Sequence, residues 1–367
     1  MDMDVESRLS LIRSIGEEVI TTEELKQLLQ TNDHPVAYDG FEPSGMAPIH
    51  FGVFRALNLK DLMKAGVRFT LLLADWHGWI NNKMGGDLSA IRKVGEYFIE
   101  VWKGAGIDTS KVSVAWASDL VKDPEYWKKV VLVAKNTTVA RATRCLTIMG
   151  RKEGEMQEVA QYLYPTMQVA DIFHLGVDIC QLGLDQRRAN ILARELAPKL
   201  GWKKPVLVHH HMLMGLQGMK QPDGFETDKA MDAEISSKMS KSRPESAIFV
   251  HDSADAVKGK LDKAYCPAKV VEGNPVLEYC RYILMRDGGS AFKEFKVERP
   301  AKFGGPVAFA TYAELERSFA AGTLHPQDLK AATVSYLEKM VCPIREHFEK
   351  GKAKELYDFV RKQEVTR

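Results

Sequence analysis

Val67-Arg68-Phe69-Thr70-Leu71-Leu72-Leu73-Ala74-Asp75 is a nearly unbroken apolar run that closes on a carboxylate. A strand with one wet face alternates apolar and polar residues. One covered on both faces is apolar throughout, so this run reads as a buried strand of a parallel sheet. Upstream of it, a helix carrying Ala56, Leu57, Leu59, Leu62 and Met63 ends at Gly66. Before that helix, Val36-Ala37-Tyr38-Asp39-Gly40 forms a short strand that runs into the turn Glu42-Pro43-Ser44-Gly45. Downstream, the spacing predicts a helix from about Leu88 to Lys103 and then an alternating strand, Lys111-Val112-Ser113-Val114-Ala115-Trp116. Strand, helix, strand, helix, strand with crossovers of that length is the pattern of a doubly wound parallel α/β sheet. Ligands of such folds lie beyond the carboxyl ends of the strands, where Tyr38 and Asp75 fall.

Further out, Leu9 to Val19 has helical spacing, and Thr22-Glu23-Glu24-Leu25 opens a second helix with N-cap chemistry that His34-Pro35 ends. Residues 124–194 are mostly helical, and sheet signals return at Val206-Leu207-Val208 and Ile248-Phe249-Val250. The expected organisation is a nucleotide-binding domain over 1–252, split by a helical insertion at about 124–194, followed by a mainly helical C-terminal domain over 253–367. The polar segment between Gly218 and Ser237 has no clear period and reads as a mobile loop.

Bulk properties narrow the class. The chain has 367 residues, 45% hydrophobic and 27% charged, enough for about two domains with ample core. A net charge of +2 leaves any nucleic-acid contact to local patches. The five cysteines are scattered without a C-x-x-C pair, which disfavours both a disulfide framework and a zinc site. The acidic N-terminus lacks the apolar run of a signal peptide, and no apolar stretch is long enough for a membrane span, so a cytoplasmic protein is expected.

Two local patterns carry chemistry. In Lys238-Met239-Ser240-Lys241-Ser242, two lysines sit three apart on a serine-bearing stretch. Ammonium groups on long flexible stems suit a polyphosphate that moves during reaction, and serine hydroxyls bond phosphate oxygens or hold the loop in shape. In a solvated basic loop the same residues would do nothing. The second pattern is Tyr164, Gln168 and Asp171, which follow i, i+4, i+7 and so share one helix face. Leu163, Met167 and Ile172 flank them, and a half-buried polar triad must be satisfied by something.

The pentapeptide resembles the second signature of class I aminoacyl-tRNA synthetases, and the chain as a whole resembles archaeal and eukaryotic tyrosyl-tRNA synthetases. The resemblance runs through Tyr38 to Gly45, Leu73-Ala74-Asp75-Trp76-His77, Tyr164 to Asp171, Asp185-Gln186-Arg187, the pentapeptide itself, Lys263 to Pro267 and His325 to Lys330. It implies an enzyme that activates L-tyrosine with ATP and esterifies the adenylate onto tRNA(Tyr). By resemblance, Tyr38 and Asp171 meet the phenolic hydroxyl of the substrate, with His77 beside them. Tyr164, Gln168 and Gln186 hold its ammonium group. Lys238 and Lys241 stabilise the phosphates, with Met239, Ser240 and Ser242 completing the ATP loop. Arg187 meets the acceptor stem, and Phe303 and Asp328 the anticodon, with Lys330, Arg141 and Arg144 adding phosphate contacts. Magnesium is expected only as Mg2+ carried by ATP, and a homodimer is implied.

His50-Phe51-Gly52-Val53 departs from the first class I signature. It keeps the first histidine and the glycine but has Val53 in place of the second histidine, and Met46-Ala47-Pro48 lengthens the approach. His50 is expected to face the phosphates. A catalytically weak tRNA-binding paralogue and a tryptophan-specific enzyme of the same fold are the alternatives.

Overall fold

The computed structural model describes residues 3–151, 155, 158–239, 243–286 and 292–363. Its centre is a six-stranded sheet of β1 (Glu18–Ile20), β2 (Val36–Phe41), β3 (Arg68–Leu73), β4 (Val112–Trp116), β5 (Ile179–Cys180) and β6 (Val206–His209), in the order β1-β6-β5-β2-β3-β4. The last five are parallel, and β1 pairs antiparallel with β6 at the edge. Because side chains alternate along a strand, the sheet feeds two cores. Ala37, Phe69, Leu71, Ile179, Val206 and Val208 enter one, and Tyr38, Leu72, Cys180 and Leu207 the other. Both faces are therefore covered, which is why Val67 to Asp75 has no polar alternation.

Three expectations need correction. Residues 124–194 contain helices Pro124–Lys135, Val139–Cys145, Leu163–His174 and Arg187–Leu200, but also β5, which sits between β2 and β6 in the middle of the sheet. Two residues are too few to show a period; Asp178 pins them, its Oδ2 accepting from Val36 N at 2.9 Å. The first helix stops at Ile15 rather than Val19, because Gly16 leaves the helix and the chain becomes β1. Ile248 to Val250 forms no ladder. It meets the turn at Pro48 through Ile49 N to Ile248 O at 2.8 Å and Val250 N to Ala47 O at 3.1 Å. Pro48 has no N–H to extend a strand pair. Gly52 permits this approach: a Cβ there would stand 2.4 Å from Val250 Cγ1.

Half of the segment expected as a loop is the helix Lys229–Ser237, started by Asp228, whose carboxylate accepts from Ala230 N and Met231 N. Beyond Asp252 come helices Ala254–Lys263, Pro275–Tyr279, Tyr312–Ala321, Pro326–His347 and Gly351–Val360, with an unforeseen hairpin of β7 (Phe295–Val297) and β8 (Val307–Phe309). The chain runs from β2 to β3 on one side and through β5 to β6 on the other. The order of strand addition thus reverses between β2 and β5, and a crevice opens at their carboxyl ends.

Candidate active site

That crevice is a cavity of about 1090 Å³. Tyr38, Tyr164, Gln168, Asp171, Gln186, His77, His50, Lys238 and Met239 all line it. Sequence positions up to 200 apart are brought to one hollow by the reversal of strand order.

At its deep end lies Tyr38, in β2 and 1% exposed, whose hydroxyl has no hydrogen-bond partner among the described residues. Burial pushes its phenol well up, and the nearby Cys180 thiol and Asp171 carboxylate add to this, so it stays protonated and able to donate. Asp171 is 1% exposed. Its Oδ1 accepts from the Tyr126 hydroxyl at 2.8 Å, and its Oδ2 is 3.2 Å from His77 Nε2. Burial alone would strip the proton from His77. The charges of Asp171, Glu42 and Asp75 outweigh it and raise the imidazole above its ordinary value. The ring also meets Tyr164 edge-on at 4.9 Å.

The helix Leu163–His174 does turn Tyr164, Gln168 and Asp171 inward. The Tyr164 hydroxyl donates to Glu42 Oε1 at 2.6 Å, Gln168 Nε2 to Gln186 Oε1 at 3.2 Å, and Gln186 Nε2 to Ile148 O at 3.1 Å. Glu42 also accepts from Asn81 Nδ2 at 3.0 Å. Glu42 and Tyr126 were missed from sequence. Glu42 stood only as a turn residue, and Tyr126 lies on a helix, Pro124–Lys135, with no inward polar triad to mark it.

At the other end of the cavity two cations are each paired with a carboxylate. Lys238 Nζ donates to Asp185 Oδ2 at 2.7 Å, and Met239 is buried, its N–H donating to Leu213 O at 3.2 Å. Burial favours the neutral Asp185, but Lys238 and the hydrogen bond from Gln186 prevail and hold its carboxyl below the usual range. Ser240, Lys241 and Ser242 lie outside the described residues. His50 opens the wide helical turn His50–Phe54 that leads into the helix Arg55–Lys64. Below it, Arg55 forms a buried ion pair with Asp39 and donates to His210 Nε2 at 2.5 Å. Burial lowers Arg55 to about 9; burial and the Arg55 charge push His210 far down, so that ring stays neutral.

The residues expected to meet RNA are spread apart. Arg187 does not pair with Asp185; its Nε donates to both oxygens of Glu18 at 2.9 Å. Phe303 is 60% exposed beside Lys302, whose ammonium sits 4.9 Å from the ring centroid. Asp328 lies in the first turn of Pro326–His347. Lys330 is buried, with Nζ donating to Asp262 O at 2.9 Å. Arg141 is paired with Glu195 at 3.1 Å.

The family model described as tRNA synthetases class I (W and Y) matches residues 30–341. "Tyrosine--tRNA ligase 1, cytoplasmic" of Arabidopsis thaliana is 45% identical over 371 residues, covering 100% of this chain and 91% of that protein. "Tyrosine--tRNA ligase" of Sulfurisphaera tokodaii is 45% identical over 350 residues, 95% of this chain and 94% of that one. Among solved structures, tyrosyl-tRNA synthetase from Pyrococcus horikoshii complexed with L-tyrosine superposes with a TM-score of 0.89 at 42% identity, covering 98% of this chain and 100% of that chain. Family model, full-length identity and three-dimensional superposition agree, and the chain belongs to the tyrosine–tRNA ligases of the class I synthetases.

Proposed function

We propose that the cavity activates L-tyrosine with ATP to tyrosyl-adenylate and that the chain then transfers the tyrosyl group to the 3′ end of tRNA(Tyr), the ATP-dependent ligation of its family. The observation that carries this reading is at the deep end: a buried Tyr38 hydroxyl without a partner among the described residues and a buried Asp171 carboxylate with a lone pair to spare, a donor and an acceptor for one phenolic O–H. Such a pair rejects phenylalanine because its own groups are left unpaired, an effect of roughly 10⁴–10⁵ in related cases.

Tyr164, Gln168 and Gln186 then hold the substrate ammonium, with Glu42 supplying the nearby negative charge. The tyrosine carboxylate attacks the α-phosphate, and pyrophosphate leaves. No side chain is a nucleophile in this reaction, so the protein contributes position and charge. Lys238 and Lys241 are assigned to the phosphates and His50 to the same side, with Met239, Ser240 and Ser242 shaping the loop. Mg2+ enters as the counter-ion of ATP, part of the substrate. Arg187, Phe303 and Asp328 are assigned to tRNA, the last two in an anticodon-binding domain over 253–367 beside a catalytic domain over 1–252. A homodimer through the helical insertion at about 124–194 is supported by Val131, Val139, Val159 and Leu163, large apolar side chains exposed within it. A cytoplasmic site of action follows the plant relative's name, and no helix among the described residues is long and apolar enough to cross a membrane.

Pyrophosphate exchange run with tyrosine, tryptophan, phenylalanine and no amino acid is the decisive measurement. Exchange dependent on tyrosine alone is expected. Dependence on tryptophan, or none at all, would overturn the assignment. Sedimentation should give a mass near twice the 41.2 kDa of one chain.

A further inference from the structure

Beyond β6 the chain runs through His211, Met212, Leu213 and Met214, and the approach to Lys238 is laid on this segment. Met239 N donates to Leu213 O at 3.2 Å, Gly215 N donates to Ser237 O at 2.8 Å, and Met214 bridges Lys238 antiparallel. One imidazole and two carboxylates hold the segment in place. His211 Nε2 donates to Glu278 Oε1 at 2.5 Å, and its Nδ1 is 2.8 Å from Glu234 Oε1. The same carboxylates take the flanking backbone: Glu234 Oε1 accepts from Met212 N at 3.0 Å, and Glu278 Oε2 from Met214 N at 2.6 Å. Tyr282 lies parallel to the imidazole, 4.1 Å between centroids at 9°.

The His211 side chain is 11% exposed. Burial alone would deprotonate it, but hydrogen bonds and charge from Glu234 and Glu278 prevail and raise it to about 10. The ring is therefore an imidazolium, with Nε2 donating to Glu278 and Nδ1 at ion-pair distance from Glu234. Glu234 belongs to the helix Lys229–Ser237, which runs directly into Lys238, and Glu278 to the helix Pro275–Tyr279 of the C-terminal region. Without the cation, the two carboxylates would face each other as like charges.

We propose that His211 is a positioning residue for adenylate formation: it clasps the helix leading into Lys238 to the C-terminal region through Glu234 and Glu278, and so sets where the phosphate-facing lysines stand. The proposal rests on the assignment of Lys238 and Lys241 to the phosphates and makes their placement depend on a helix outside the sheet. The tyrosine end of the cavity is built on β2 and Leu163–His174, so its affinity is independent of the clasp.

The test compares His211→Asn and Glu278→Gln with wild type in the full chain. Pyrophosphate exchange is measured over ATP concentration, and tyrosine binding by calorimetry without ATP. His211→Asn should lower kcat/KM for ATP about 100-fold, the usual cost of a misplacement near 1 Å, and leave the tyrosine Kd unchanged. Glu278→Gln should shift the same quantity in the same direction by less. An unchanged kcat/KM for ATP, or a tyrosine Kd that worsens in step with it, overturns the proposal. If His211→Asn does not fold, Glu278→Gln decides alone by the same criteria. Lys241→Ala run in parallel separates the two assignments. Exchange surviving in Lys241→Ala sinks the phosphate assignment, whereas loss there with intact His211 and Glu278 variants sinks only the clasp.

Discussion

Replacing Tyr38 by phenylalanine removes one oxygen from the deep end of the cavity, and its effects on stability and on activity have opposite signs. The backbone of Tyr38 pairs with Thr70 and Cys180 across the sheet, and its ring packs in the second core, neither of which needs the hydroxyl. A buried hydroxyl without a partner costs about 1–3 kcal/mol relative to one in water. The phenylalanine variant, free of ligand, should therefore unfold at the same or a higher urea concentration, gaining up to about 2 kcal/mol. With tyrosine bound, the same hydroxyl acquires a partner, and losing that hydrogen bond at about 0.5–1.5 kcal/mol lowers kcat/KM for tyrosine roughly two- to tenfold. Phenylalanine loses nothing, since it never satisfied the group, so discrimination falls by at least the same factor. Urea unfolding without ligand and pyrophosphate exchange with both amino acids read the two effects separately. A variant that is less stable and equally selective would show that the Tyr38 hydroxyl is structural and that the specificity argument is wrong.

Lys241→Ala should reduce tyrosine-dependent exchange by about 100-fold or more while tyrosine binding holds, because charge at the phosphates matters only as the reaction proceeds. Arg187→Ala should leave exchange intact and slow aminoacylation, and Glu18→Gln, which loosens the guanidinium without removing it, should fall between; equal loss in both assays would place Arg187 in the first step instead. His251 is stacked on Tyr357 at 4.0 Å and edge-on to Phe348 at 4.7 Å, and burial, then the charge of Arg345, pushes it down to about 3. Between that value and the ordinary 6.5 the unfolded chain binds a proton that the folded chain does not. Its stabilisation is thus complete above about 6.5 and is lost on acidification, at up to about 1.4 kcal/mol per pH unit. Urea midpoints at three pH values across that window should flatten in His251→Phe, and an undiminished slope would assign the acid sensitivity elsewhere.

What was legible in the sequence was what repeats. Val67 to Asp75 declared a doubly covered sheet because burial on both faces erases alternation, and Tyr164, Gln168 and Asp171 declared a shared face because helical spacing leaves no other arrangement. β5 was hidden because two residues carry no period, although they sit at the centre of the sheet. Glu42 and Tyr126 were hidden for a different reason. Each reaches its partner across a tertiary approach, 122 residues away to Tyr164 and 45 to Asp171, and nothing local marks such a meeting. Glu234 and Glu278 resemble any surface glutamate until His211 is placed between them.

The short turn Leu184–Gln186 and the residue after it bind these separate features into one device. Asp185 takes the ammonium of Lys238, Gln186 takes the amide of Gln168, and Arg187 reaches Glu18 on the edge strand. Under the proposed assignments these three consecutive residues touch the phosphate, amino-acid and RNA ends of the reaction in turn. The turn is tightly seated: a Cβ on Gly183 would lie 2.7 Å from both Asp185 Oδ1 and Met212 Sδ. Met212 belongs to the segment that His211 holds, so the absence of a side chain at Gly183 lets the turn and that segment lie side by side. Under those assignments the groups for ATP, tyrosine and tRNA are brought together by the continuity of one short stretch of backbone.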